Sequence, residues 1–283
     1  MADLLTRLKR KLRIHLWVAR LATRNRTSKR RIVSANNDVI VSLTTYALRI
    51  ATVYLTIESI AAGDVLPGRI ILWLDDAGLY HNPPETLRRL VRRGLEIKLC
   101  DNYGPHTKYY GHLASGDPLT SPLVLADDDS LYHKEWLRDL LLAYQQFPEM
   151  LNCYLAKPVI VRDGNVAPYG EWKLCESTGP SLCNVAHGVA GVIYPPSLLQ
   201  AVRKSGTSFQ SICPKADDIW LHWHALRERV PTRQIHKTSL RPVFIPGTQD
   251  VGLWLQNYQG GNDEQIARTY QPQDIEVLAG CRA

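Results

Sequence analysis

The sequence predicts an α/β fold built on a central, mostly parallel sheet, a Rossmann-type sandwich preceded by a basic amphipathic helix. Three observations support this. Short apolar, β-branched runs recur four times between residues 38 and 129, helix-period segments separate them, and polar residues collect where each run stops.

The first element is the arm MADLLTRLKRKLRIHLWVARLATRNRTSKRR. It places Leu4, Leu5, Leu8, Leu12, Leu16 and Ala19 on one helical stripe, with Lys9, Arg10, Arg13 and Arg20 away from it. Ile14, Trp17 and Val18 fall off the stripe. Strand DVIVSLTTY (38–46) follows, then a helix over 49–62, strand RIILWLDD, a helix over 84–93 and strand LEIKLC. A helix starting near Pro105, strand PLVLADDD and the periodic helix YHKEWLRDLLLAYQQF complete four strand and helix units. Next come a strand and polar loop from LAKPVIV, a glycine-spaced segment with a proline-opened helix (HGVAGVIYPPSLL), the helix ADDIWLHWHALRERV, and a strand in RQIHKTSL. The expected organisation is an arm over 1–35, an α/β domain over 36–245, and an extension over 246–283 packed on or near the ends of its strands.

The 283 residues are 45% hydrophobic and 22% charged, an ordinary globular composition that excludes disorder and a collagen-like chain. The net charge of +7 is unevenly placed. Residues 1–31 hold eleven Lys/Arg and one acid, Asp3, so the remainder is mildly acidic. Such a body offers no extended face to nucleic acid. The arm suits an anionic membrane surface, with about 1 kcal/mol from each nearby Lys/Arg, and equally suits packing on the domain. No run approaches a membrane span, so the expected location is the cytoplasm, peripheral at most on the inner face of the cell membrane. Six cysteines without a C-x-x-C pair suggest reduced, structural thiols rather than zinc or a disulfide framework.

Ligands of such sheets gather beyond the carboxyl ends of the strands. There lie Thr44, Thr45 and Tyr46, then Asp75 and Asp76, Asp101, and the triad Asp127, Asp128 and Asp129. Three consecutive acids repel one another unless a cation joins them, and Asp127 with Asp129 suits a hard ion such as Mn²⁺ or Mg²⁺. Such an ion shares its coordination with phosphate oxygens, implying a diphosphate ligand. In DNYGPHTKYY, Gly104 permits close backbone approach and Lys108 falls in the first turn of a helix, facing a phosphate. Asp217 and Asp218 open a helix, where they suit both the dipole and a general base; which one accepts the proton stays open.

In this order, SLTTY, WLDD, NYGPHTKYY, VLADDDSLYHKEWL, HGVAGVIYPPSLL and ADDIW, the chain resembles the GT-A class of nucleotide-sugar glycosyltransferases, particularly family 2-like enzymes of bacterial surface polysaccharide and glycolipid synthesis. The resemblance implies that Asp127–Asp129 stand for the D-x-D motif holding the metal and diphosphate. It implies a nucleotide pocket along Thr44, Tyr46, Arg49, Asp76, Lys108, Asp127 and Asp128, and a catalytic base at Asp218 or Asp217. It makes Tyr169, Trp172, His187 and Gly191 candidates for the sugar and acceptor site, with His236 a candidate third metal ligand beside Asp127 and Asp129. The implied reaction is metal-dependent transfer of a sugar to a hydroxyl of a glycan or lipid-linked acceptor, with inversion expected from a single displacement and retention left open. Two alternatives are a haloacid-type phosphatase using Asp127-x-Asp129 and a peripheral membrane-binding protein without activity.

Overall fold

The computed structural model describes residues 2–249 and 260–281. Helix α1 (Ala2–Thr27) precedes β1 (Ile40–Thr44), α2 (Val53–Ala61), β2 (Arg69–Leu74), α3 (Ala77–His81), α4 (Glu85–Val91) and β3 (Leu95–Leu99). The middle of the chain forms α5 (Thr107–Ala114), β4 (Leu123–Leu125), β5 (Ser130–Leu131), α6 (Trp136–Gln146), β6 (Leu151–Cys153), β7 (Ala156–Pro158), β8 (Val161–Arg162) and β9 (Asn165–Val166). It continues through β10 (Asn184–Ala186), β11 (Val192–Tyr194), α7 (Pro196–Lys204), α8 (Phe209–Ile212), α9 (Asp217–Arg227), β12 (Thr232–Gln234), β13 (Val243–Phe244), α10 (Asn262–Thr269) and α11 (Pro272–Gly280).

Among the described residues, seven strands form the main sheet in the order β12-β6-β11-β4-β1-β2-β3. All pair in parallel except β11, which runs antiparallel between β4 and β6. Alternation of side chains fills both faces. Ile71, Trp73, Leu123 and Leu125 enter the core beneath α5, α7 and α9, while Val41, Leu43, Ile70, Leu72 and Val124 enter the one beneath α2, α4 and α6. Gly111 lets α5 lie directly on Trp73, since a Cβ there would stand 2.5 Å from the indole. Trp73 Nε1 donates to Ser42 Oγ (2.9 Å), and Ser42 donates to the carbonyl of Lys108 (2.5 Å), which fixes the start of α5 against β1.

The register aligns the strand ends: Thr44 pairs with Trp73, Leu74 with Leu99, and Ser42 with Leu125. Because β11 is reversed, its beginning meets the same rim, with Val192 opposite Leu125. The turn at Gly188–Gly191 therefore faces the Asp127–Asp129 turn.

Helix α1 is held through the side opposite its leucine stripe. Trp17, Val18, Leu21 and Ala22 pack on Leu55, Leu131 and Ile245. Arg24 and Asn25 bond the fully buried carboxylate of Glu58 on α2, which also pairs with Arg93. At the other terminus α10 and α11 lie against α9: Arg227 and Trp223 bond Asp274, and His222 meets Tyr270 Oη at 2.6 Å. The expectation of reduced thiols is corrected for one pair. Cys183 and Cys281 form a disulfide (Cα–Cα 6.2 Å), while Cys100, Cys153, Cys175 and Cys213 remain free. A separation of 98 residues carries no local sequence signature.

Candidate active site

The rim encloses a cavity of about 920 Å³. That is within the range for a bound cofactor or substrate. Its floor is built by the β1–α2 turn, the start of α5, the turn after β4, the Gly188 turn and the start of α9, with Asp75, Tyr169, Arg241, Phe244, Gln249 and Asn262 completing the lining.

The turn after β4 is pinned by its backbone. Asp127 N donates to Tyr132 Oη (2.9 Å), Thr56 Oγ1 donates to the carbonyl of Asp128 (2.9 Å), and Ile245 N donates to that of Asp129 (2.8 Å). This projects the three carboxylates along different directions. Asp127 Oδ1 accepts from Lys108 Nζ at 2.7 Å. Asp128 accepts from Thr45 Oγ1 (2.6 Å) and Arg49 Nη1 (2.8 Å), and the same Nη1 lies 2.9 Å from Asp129. Gln249 Nε2 donates to Asp129 at 2.9 Å. The helix expected from residue 49 begins only at Val53. Residues before it turn, with Arg49 N donating to Tyr46 O (2.8 Å), and this turn aims Arg49 at the acids.

Lys108 is buried at the start of α5, with Nζ between Asp127 and Asp217 Oδ2 (3.0 Å). Burial opposes its charge, but Asp127, Asp217 and Asp218 outweigh that cost, and its pKa stands well above the usual lysine value. Gly104 supplies the left-handed turn before the helix, with φ +59°.

Asp218 faces the cavity from the first turn of α9. Its Oδ1 accepts from Gly188 N (3.0 Å), and its Oδ2 lies 3.5 Å from His187 Nδ1. Burial, then the charge of Asp217, raises this carboxyl to about 8. Burial lowers His187 to about 3, so its imidazole is neutral, and its buried Nε2 has no hydrogen-bond partner among the described residues. A side chain on Gly188 would crowd Asp218 Oδ1 (3.2 Å) and Lys108 Nζ (3.6 Å). The glycine thus allows this approach. Asp129 is likewise raised to about 6 by burial and by Asp127. Six aspartates, Asp75, Asp127, Asp128, Asp129, Asp217 and Asp218, line the cavity with four cationic side chains, Arg49, Lys108, Lys215 and Arg241.

The structure brings together Thr44, Tyr46, Arg49, Lys108, Asp127, Asp128, Asp129, Tyr169, His187, Asp217 and Asp218. It leaves four candidates out. Asp76 caps α3, accepting from Leu79 N at 2.9 Å. Trp172 is core, its Nε1 bonded to Ala167 O. Gly191, at φ +108°, makes room for Trp136, whose Nε1 would lie 2.2 Å from a Cβ. His236 follows edge strand β12, with Nε2 3.8 Å from Asp139 and its ring against Tyr154. It is therefore no partner of Asp127 and Asp129. Among the described residues no three His, Cys, Asp or Glu side chains converge as a metal-ligand group.

Sequence reasoning missed Lys215, a cation two residues before Asp217, and Arg241, Gln249 and Asn262, which line the cavity from distant positions. Nothing in the local patterns of the last three marks them.

No protein-family model matches the chain, and no curated protein matches it in sequence. Solved structures match it in shape. The mannosyltransferase PcManGT from Pyrobaculum calidifontis, in complex with GDP-Man and Mn²⁺, superposes with a TM-score of 0.55 at 13% identity, covering 94% of this chain and 75% of that one. The fold is GT-A-like. S. aureus TarS 1-349 matches with a TM-score of 0.48 at 16% identity, over 86% of this chain and 69% of that one. A CMP:2-keto-3-deoxy-manno-octonic acid synthetase complexed with CTP matches at 0.42 and 10% identity, over 79% of this chain and all of that one. In this GT-A-like frame β1 and β4 lie side by side at the centre, so Thr44–Arg49 and Asp127–Asp129 share one rim.

Proposed function

We propose that the protein transfers a sugar from a nucleotide-sugar donor to a hydroxyl of a glycan or lipid-linked acceptor, with inversion. One observation carries this reading: Asp218, its pKa raised, faces the same cavity as Lys108 and the aspartate triad, at the carboxyl rim of a GT-A-like sheet.

Asp218 is the base, because Asp217 is engaged by Lys108 while Asp218, among the described residues, accepts from the Gly188 amide and lies beside neutral His187. It takes the acceptor proton as the hydroxyl oxygen bonds to the anomeric carbon. The bond from that carbon to the diphosphate breaks on the opposite side, and its electron pair leaves with the nucleoside diphosphate. Lys108, backed by the start of α5, faces the charge that develops there.

A divalent cation suits the carboxylate oxygens of Asp127 and Asp129, which turn toward Lys108 and Arg49 in this structure. Asp127 and Asp129 are hard oxygen ligands in a region where burial, then the charge of Asp127, raises Asp129. When bound, Mn²⁺ or Mg²⁺ would be held by these two residues and supply positive charge to the diphosphate oxygens. Binding requires Arg49 and Gln249 to share Asp129 or release it.

The phosphatase alternative needs its nucleophilic aspartate at the end of the domain's first strand. Here β1 ends in Thr44 and Asp127 follows β4. A panel of UDP, GDP, CMP and dTDP sugars with Mn²⁺ tests the proposal, read by thermal shift and by nucleotide release on adding hydroxyl acceptors. Stabilisation by none of them, with rapid hydrolysis of an aryl phosphate, would reject it.

A further inference from the structure

Helix α1 has two apolar faces, and the domain uses only one. Trp17, Val18, Leu21 and Asn25 turn inward, toward Leu55, Leu131, Ile245 and Glu58, and half-buried Ile14 falls on the same side of the helix. At 3.6 residues per turn, Leu5, Leu8, Leu12, Leu16 and Ala19 fall on the opposite side of the cylinder. Those leucines are 53%, 54%, 61% and 48% exposed, the largest such row among the described residues. Residues that looked like flaws in one amphipathic pattern are a second pattern, offset by about half a turn. Docking on the domain therefore leaves the leucine stripe outward.

We infer that α1 seats the protein flat on an anionic lipid surface through Leu5, Leu8, Leu12 and Leu16, while its opposite face holds the catalytic domain. The charge around the stripe identifies the occupant. Lys9, Arg13 and Arg20 border it on one side and Lys11 on the other, all exposed, and no Asp or Glu occurs from residue 4 to 37. Cationic side chains along the edges of an apolar strip reach anionic headgroups while the leucines enter the acyl boundary. A second copy of the same helix would instead set lysine and arginine against lysine and arginine. Among the described residues no helix is long and apolar enough to cross a membrane, so contact is made in the plane of the surface.

The seat adjoins the cavity. Ile245 packs in the cluster under α1 and donates its N–H to the Asp129 carbonyl, and neighbouring Phe244 lines the cavity. The lipid surface thus lies on the side of the domain that carries the β5–β13 pair.

Co-sedimentation of the full chain with phosphatidylglycerol-containing or pure phosphatidylcholine vesicles tests this. The protein is expected to pellet with the anionic vesicles and to release as salt rises, because the charged part is screened. Leu8→Gln/Leu12→Gln is expected to lower vesicle partitioning by about tenfold or more without moving the melting temperature, since both side chains are already exposed. Lys9→Gln/Arg13→Gln is expected to flatten the salt dependence. Equal pelleting with both vesicle types, or wild-type partitioning by the leucine variant, would overturn the inference. So would a dimer in light scattering that the leucine variant dissolves, which would assign the stripe to a second copy.

Discussion

Lys108 Nζ stands 3.0 Å from Asp217 Oδ2, joining the start of α5 to the start of α9 across the cavity. The same ammonium holds Asp127. One buried cation therefore sets the distance between the candidate phosphate side and the candidate base side. Removing it by Lys108→Met leaves two carboxylates without their partner, an imbalance that costs roughly 3–5 kcal/mol in buried pairs. Denaturant unfolding is expected to show a loss of that order. Because Lys108 also lowers the Asp218 carboxyl, the variant's residual activity is expected to need a higher pH than wild type. An unchanged denaturation midpoint would show that the ammonium is not structurally committed to Asp127 and Asp217.

Asp218→Asn preserves an oxygen for the Gly188 amide but cannot take a proton. Its transfer rate is expected to fall by about a hundredfold or more, with donor affinity changed little. In the wild type the carboxyl is raised to about 8, so it is protonated and idle as a base below that pH. Activity is expected to climb as pH rises through this value. Asp217 contributes to the upward shift, so Asp217→Asn is expected to move the limb to lower pH while retaining turnover. Loss of turnover in Asp217→Asn with full activity in Asp218→Asn would reverse the two roles.

The parallel half of the sheet was legible because β1 to β4 carry dense aliphatic runs that stop at polar residues, and the acidic triad stood out through its own repulsion. Lys108, expected after Gly104 and Pro105, and the Asp217/Asp218 pair, expected at a helix start, line one cavity in the structure. Other residues depended on partners far away in sequence. Gly191 does permit a close approach, but of Trp136 rather than a sugar. Asp76 looked the same as the rim aspartates until α3 formed behind it. The inward face of α1 is set by Leu55, Leu131 and Ile245, none visible from the arm itself. Gln249 reaches Asp129 across 120 positions, and a local pattern has no means of reporting that.

Glu58 should govern whether α1 stays attached. Its carboxylate is fully buried and takes hydrogen bonds from Arg24, Asn25 and Arg93, the last also buried. Glu58→Ala removes the common acceptor and leaves Arg93 desolvated, at a cost of about 3–5 kcal/mol. Limited proteolysis is expected to cut near Thr27 in the variant well before the wild type. Replacing Glu58 by Gln retains the volume and one acceptor and should cost less. Wild-type resistance of Glu58→Ala to proteolysis would mean that Trp17 and Leu21 suffice to hold the helix.

The triad tests the metal assignment through binding rather than turnover. Asp129 is pushed up to about 6 by burial and by the neighbouring Asp127 charge, despite Arg49 at 2.9 Å. A cation bound there must displace a proton at acidic pH, so Mn²⁺ affinity in the presence of a nucleoside diphosphate is expected to weaken as pH falls through that value. Asp129→Ala is expected to abolish the metal-dependent part of diphosphate binding in calorimetry. Arg49→Gln removes the cation that competes for the same oxygen, and is expected to tighten Mn²⁺ binding measured with the metal alone. Identical titrations for wild type and Asp129→Ala, with and without Mn²⁺, would leave Arg49 as the partner of this carboxylate and take the metal out of the site.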